Sequence, residues 1–368
     1  MSRLVVVGGG LAGAKAAEAA AENGWDVVVV GDEPHAPYER PPLSKAVLRG
    51  EAESGPVHAE PPYDLLTGTR VAALDPAAHV VLLADGRELA YDAAVVATGT
   101  SPRRLGVPGA ERVRYLRTVD DAVALRYAAR NVRRVAVIGA GWIGCEVAAS
   151  LRQGGADVVL VDPTPGPLHR VLGQEVGDVF ARLHERHGVA LRFGRGVTAV
   201  TGDGIVLDGG DVESADLVVA GVGVVPNVEV AAASGLDVDN GILADDRLRT
   251  SAPGVYAAGD VANAWHPRYG ARLRVEHWAN ALNQGAAAGR NATGADEPYD
   301  RLPYFFSDQY DLGMEYVGHS APADEVTLEG DDEAFVAFWR RDGRVTAAMH
   351  VNTWDAIDGL KEKVAADL

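Results

Sequence analysis

Two short glycine-rich runs, each leading into helix-forming residues, are the parts of this sequence best suited to chemistry. Gly8-Gly9-Gly10-Leu11-Ala12-Gly13 and Gly139-Ala140-Gly141-Trp142-Ile143-Gly144 share the spacing Gly-x-Gly-x-x-Gly. In that spacing the first glycine makes a tight turn and the second lets the backbone approach a pyrophosphate. The third lets helix and strand pack closely. The pyrophosphate then sits on unpaired N–H groups at a helix N-terminus, where the helix dipole favours an anion. An acidic residue at the end of the next strand accepts hydrogen bonds from ribose hydroxyls. Asp32 holds that place after the first run, with Glu33 as the alternative, and Asp162 holds it after the second. A carboxylate at Asp162 repels a 2′-phosphate, and Pro163-Thr164-Pro165 supplies no arginine to bind one. NADH is therefore expected over NADPH.

Other chemistry is scarce. The single cysteine, Cys145, excludes a disulfide framework and a cysteine-based metal site. It falls in the second glycine-led helix and reads as a small apolar filler. His184 and His187, three apart on an expected helix, lack a further ligand at metal-binding spacing, so no metal is expected. The net charge of −18 argues against nucleic acid and against an anionic membrane surface. Hydrophobic residues at 47% and charged residues at 23% are ordinary for a globular chain. No apolar run approaches the roughly 18–20 residues of a membrane span. Met1-Ser2-Arg3 leads straight into an apolar strand, so no signal peptide is read and a cytoplasmic monomer or homodimer is expected.

Each glycine run needs a strand before it and a helix after it. Leu4–Val7 reads as the first strand, Ala14–Glu22 as the helix and Asp26–Val30 as the next strand. The same order returns as Val135–Ile138, a helix through Leu151, and Asp157–Val161. His79–Leu83 and Glu88–Tyr91 flank Asp85-Gly86 and read as a hairpin, echoed by the glycine-punctuated region of Gly204–Leu207. Each half then closes on an apolar run, Ala93–Ala97 before Thr98-Gly99 and Leu217–Ala220 before Gly221. One element order used twice suggests an internally duplicated nucleotide-binding fold. From about Asp300 the chain changes character, with strand patterns such as Ala334–Trp339 and a helical end over Thr353–Ala366. That segment reads as a small α+β domain.

These motifs, with PYERPPLSK at Pro37–Lys45, ATG at Ala97–Gly99, YLRT at Tyr115–Thr118, GVGVVPN at Gly221–Asn227, VYAAGDVA at Val255–Ala262, EHWANALNQ at Glu276–Gln284 and PYFFSDQY at Pro303–Tyr310, extend over nearly the whole chain. In that order they resemble the ferredoxin-reductase-like group of two-dinucleotide flavoproteins, the group of putidaredoxin reductase, rubredoxin reductase and the reductases of aromatic-ring dioxygenases. The resemblance implies an α/β fold with two Rossmann-like domains, for FAD and NAD, of glutathione-reductase type, plus the small C-terminal α+β domain. It places a discontinuous FAD domain at 1–106 and 226–297, the NAD domain at 107–225 and the last domain at 298–368. It carries FAD contacts onto Gly8, Gly10, Leu11, Ala12, Gly13, Asp32, Arg40, Lys45, Val71, Thr98, Gly99, Arg117, Gly259, Asp260 and Trp278. NAD contacts fall on Gly139, Gly141, Trp142, Ile143, Gly144, Glu146, Asp162 and Gly223. Trp142 is either a nicotinamide-side aromatic or a helix-packing residue. Lys45 and Glu146 are implied to pair beside the flavin N5, where hydride arrives.

Disulfide reductases of this fold need a dithiol beside the flavin, and other side chains cannot replace thiolate chemistry. The stretch Tyr38–Lys45, where the family places it, has no cysteine. Reduced FAD is therefore expected to pass electrons directly to an acceptor. The resemblance implies a ferredoxin or rubredoxin that serves an oxygenase. A small-molecule acceptor such as a quinone, nitro compound or radical is the alternative, and a redox-controlled binding protein of apoptosis-inducing-factor type a third reading. An acidic ferredoxin needs a basic patch, for which Arg340, Arg341 and Arg344 are candidates. Phe306 stands where the family often has tryptophan, and the last domain is short.

Overall fold

Short β-branched runs between glycine turns build two parallel sheets on one plan. The computed structural model describes residues 1–368, which divide into two units. The first holds Met1–Glu39, Gly55–Ser101 and Val225–Pro303; the second holds Arg40–Ser54, Pro102–Val224 and Tyr304–Leu368.

In the first unit, strand Arg3–Val7 pairs in parallel with Asp26–Val30 on one side and Ala93–Val96 on the other. Asp64–Leu66 and Val255–Ala257 complete the five strands. Leu4–Val7 and Ala93–Val96 are buried throughout, as expected of parallel strands covered on both faces. Strand order reverses beside Arg3–Val7, the switch point at which ligands of open α/β sheets bind. Helix Leu11–Glu22 packs along helix Trp278–Ala292. Their contact faces are alanine and glycine: a Cβ added to Gly285 or Gly289 would lie 2.3 or 2.2 Å from the carbonyl oxygen of Ala12 or Ala16. The helix begins at Leu11, earlier than its alanine pattern suggests, because the Gly10 carbonyl already accepts the Ala14 N–H at 2.9 Å.

The second unit repeats the plan with Arg134–Ile138 between Asp157–Asp162 and Leu217–Ala220. The likeness reaches single contacts. Asp92 accepts the Arg3 N–H at 2.7 Å, and Asp216 accepts the Arg134 N–H at 2.8 Å. Tyr304–Gln309 opens a five-stranded antiparallel sheet whose strand Phe335–Arg341 and helix Ile357–Asp367 lie close to their sequence-expected places. One hydrophobic cluster runs from Val135 and Leu160 through Phe180 to Phe305, Tyr316 and Trp339. No helix is long and apolar enough to cross a membrane.

Candidate functional site

Three glycines build the cradle at the switch point of the first unit, each for a different reason. Gly8 has φ +126°, and an added Cβ would lie 2.2 Å from the Ala97 carbonyl oxygen. A Cβ on Gly13 would lie 2.0 Å from the Gly8 oxygen. Gly10 has an ordinary φ of −92° and nothing within 4 Å of an added Cβ. No packing requires glycine there, so the open space over it fits a group bound from outside. Gly10 caps the helix without a side-chain hydrogen bond, leaving the first-turn N–H groups of Leu11, Ala12 and Gly13 for an anion.

Other expected FAD contacts of this unit lie at the carboxyl ends of neighbouring strands. Thr98 and Asn227 bind each other's carbonyls, at 2.7 and 2.8 Å, and fix the turn through Gly99. The Gly259 N–H donates to Gln284 at 2.8 Å, and Asp260 accepts from Thr100 at 3.1 Å. Trp278 is the first residue of its helix, whose cap His277 makes no side-chain cap bond. Val71 opens its strand and is buried. Asp32 is exposed, whereas Glu33 accepts the Tyr38 hydroxyl at 2.5 Å. That leaves Asp32 the freer acceptor for a ribose.

The second unit carries the same cradle. Gly139 has φ +98°, a Cβ on Gly144 would lie 1.8 Å from the Gly139 oxygen, and Gly141 has open space. Asp162 accepts the Ala140 N–H at 2.8 Å, the Thr164 N–H at 2.8 Å and the Thr164 hydroxyl at 2.5 Å. Its carboxylate is thereby fixed at the cradle with Oδ2 still able to accept a further bond. Ile143 and Gly223 are exposed. Trp142 meets Phe305 and Phe180 edge-on at 4.7 and 6.1 Å, which is the packing alternative read from the sequence. Arg40 donates to the Arg117 carbonyl at 2.6 Å.

Lys45 and Glu146 form an ion pair at 2.8 Å, with side chains 14% and 6% exposed. The Ser44 hydroxyl also donates to Glu146, and the Ser307 hydroxyl donates at 2.7 Å. Neither serine was anticipated; both lie in the PPLSK and PYFFSDQ motifs. Burying two charges costs several kcal/mol per ion unless further hydrogen bonds satisfy them, and here three donors meet the carboxylate. Asp308 stands nearby. Burial pushes its carboxyl above the usual range, opposed by Lys45 and reinforced by Glu146 and Glu315.

Cys145 is buried against the Ala140 carbonyl at 3.5 Å, and burial, with Glu146 and Asp162 nearby, pushes its thiol far up. A thiol held protonated is a poor nucleophile. Cys145→Ala is expected to keep NADH-driven turnover within about twofold of wild type, and the native protein to resist iodoacetamide. Alkylation of the folded protein with loss of activity would contradict this. Of the three arginines read as a patch, Arg341 is bound to Asp324 at 2.7 Å and Arg340 to the Thr327 hydroxyl at 2.5 Å. Arg344 is exposed at a hairpin.

The family described as pyridine nucleotide-disulphide oxidoreductase matches residues 2–285, and the reductase C-terminal family matches 304–367. The chain is 41% identical over 381 residues to the ferredoxin–NAD(+) reductase component of an anthranilate 1,2-dioxygenase system from Burkholderia cepacia. That match covers 98% of this chain and 94% of the relative. Putidaredoxin reductase from Pseudomonas putida is 36% identical, over 95% of this chain and 88% of its own. The crystal structure of the covalent putidaredoxin reductase–putidaredoxin complex superposes with a TM-score of 0.94 at 35% identity, covering 100% of this chain and 94% of that one.

Proposed function

This chain belongs to the pyridine nucleotide-disulphide oxidoreductase family, and on that premise we propose that it passes electrons from NADH through bound FAD to a ferredoxin or rubredoxin that serves an oxygenase. The observation that carries the reading is the pair of matched cradles, each with a glycine that protein packing does not require. Bound FAD takes two electrons as hydride and releases them singly, as an iron–sulfur acceptor requires.

The chain's own residues hold the two dinucleotides. Gly8, Gly10, Gly13 and Asp32 hold the FAD pyrophosphate and ribose; Gly139, Gly141, Gly144 and Asp162 do the same for NADH. The domain boundaries 1–106 with 226–297, 107–225 and 298–368 are part of this proposal. Lys45 and Glu146 serve the flavin, keeping a fixed ammonium where hydride is received. No thiol takes part, since the only cysteine is buried.

Steady-state turnover with a panel of acceptors tests the reading. A [2Fe–2S] ferredoxin from the same cell is expected to be reduced at least about a hundredfold more efficiently than a quinone or oxygen, a difference of about 2.7 kcal/mol in transition-state stabilisation. Fast quinone turnover with an inert ferredoxin overturns it in favour of a small-molecule reductase.

A further inference from the structure

A chain of hydrogen bonds leads away from Glu146 through residues to which the sequence reading gave no role in the chemistry. Ser307 donates to Glu146 Oε1 at 2.7 Å, and Gln309 Nε2 lies 3.4 Å from Ser307 Oγ. Gln309 Oε1 lies 3.0 Å from His184 Nε2, and His184 Nδ1 lies 3.4 Å from the Tyr310 hydroxyl. Ser307, Gln309 and His184 are buried.

The proton order follows from donor and acceptor capacity. Burial pushes the His184 imidazole down to about 4, so it is neutral near pH 7 and has one donor and one acceptor nitrogen. Facing an amide oxygen, Nε2 carries the proton, and Nδ1 accepts from Tyr310. Gln309, its oxygen engaged, turns its NH2 to Ser307. The one Ser307 proton then goes to Glu146. Every dipole in the chain points the same way, toward the carboxylate, and bonds so aligned polarise one another. An amide does not pass protons readily, so the chain is an orienting device rather than a proton path.

We propose that Ser307, Gln309 and His184 are positioning residues for hydride transfer, holding Glu146, and through it the Lys45 ammonium, in one geometry. The proposal rests on the reading that Lys45 and Glu146 serve the flavin. Around the chain, Lys45, Ser44 and Asp308 lie near Glu146, Arg152 and Cys145 lie near Tyr310, and His187 lies against Tyr310 with ring centroids 3.8 Å apart and the planes tilted by 42°.

Anaerobic stopped-flow reduction of the FAD-loaded full chain over a series of NADH concentrations tests it, by separating the limiting rate from the NADH Kd. Ser307→Ala is expected to lower the limiting rate about tenfold, the scale of one lost hydrogen bond to a charged group, and Gln309→Met, which loses bonds to neutral partners, about threefold to tenfold, each with Kd within about twofold. Ser307→Thr, which keeps the hydroxyl, is expected to stay within about threefold of wild type. Arg182→Gln, which breaks an exposed pair with Asp332, is expected to leave the rate unchanged. Flavin content and Tm establish that each variant is folded. Ser307→Ala and Gln309→Met at the wild-type rate while Lys45→Met is slow overturns the positioning role alone. Kd rising in step with the rate loss, or no rescue by threonine, also overturns it. Lys45→Met and Glu146→Gln both at the wild-type rate overturns the underlying reading, and the proposal with it.

Discussion

Gly10→Val is expected to give a folded but colourless protein. Gly10 has φ −92°, which any residue adopts, and an added Cβ meets no protein atom within 4 Å. The apoprotein should therefore melt within a few degrees of wild-type apoprotein, because nothing in the native packing changes. Bound FAD is another matter, since the second glycine is where the backbone approaches the pyrophosphate. A branched side chain there overlaps the phosphate and separates it from the N–H groups of the helix N-terminus. Hydrogen bonds to charged groups are worth about 1.5–3 kcal/mol each, so an affinity loss of at least about a thousandfold, about 4 kcal/mol, is expected. FAD titration followed by flavin fluorescence quenching measures it. Gly13→Val is the contrast. Its Cβ would lie 2.0 Å from a backbone oxygen, so that variant should fail to fold rather than merely lose its colour. A yellow Gly10→Val protein with wild-type FAD affinity would remove the first cradle from the site.

Gly141→Val separates the second nucleotide from the first. Gly141 also has an ordinary φ, −78°, and open space over its Cα. The variant is expected to be yellow, with wild-type flavin content and an unchanged absorbance spectrum. Its apparent Kd for NADH should rise at least about a hundredfold, about 2.7 kcal/mol, because the same phosphate approach is blocked. Dithionite, which needs no nucleotide site, should still bleach it at the wild-type rate. Loss of flavin along with NADH reduction would show that the two cradles do not bind separate nucleotides.

Both cradles were legible in the sequence because their physics is local. A strand, a turn that needs glycine, and a helix start lie within about ten residues, and each residue type has one steric or electrostatic reason to be there. The duplication was legible for the same reason: Asp92 and Asp216 stand before equivalent strands and bind equivalent N–H groups. Boundaries were less so, because Gly13 inside the first helix hides its true start at Leu11. What sequence could not supply was convergence. Ser44, Glu146, His184, Ser307 and Gln309 come from distant parts of the chain and meet only in the folded second unit. Ser44, Ser307 and Gln309 lie inside quoted motifs, but a motif does not say which side chains meet, and His184 was read only beside His187. Partners of the candidate arginines were hidden for a related reason. The buried acid that engages Arg341 is Asp324, on a loop whose fold the sequence does not announce.

On the proposed function, NADH reduces a flavin held by this chain, and the flavin gives its electrons to an iron–sulfur protein. Double-mixing stopped flow tests it most directly. The purified yellow protein is first mixed anaerobically with one equivalent of NADH, and its flavin absorbance near 450 nm is followed. It is then mixed with oxidised [2Fe–2S] ferredoxin. The account predicts rapid bleaching with NADH, far slower bleaching with NADPH, and return of the flavin absorbance as two ferredoxins are reduced per flavin. A flavin that NADH does not bleach, or one that bleaches and stays reduced before ferredoxin while quinone reoxidises it, would contradict the account.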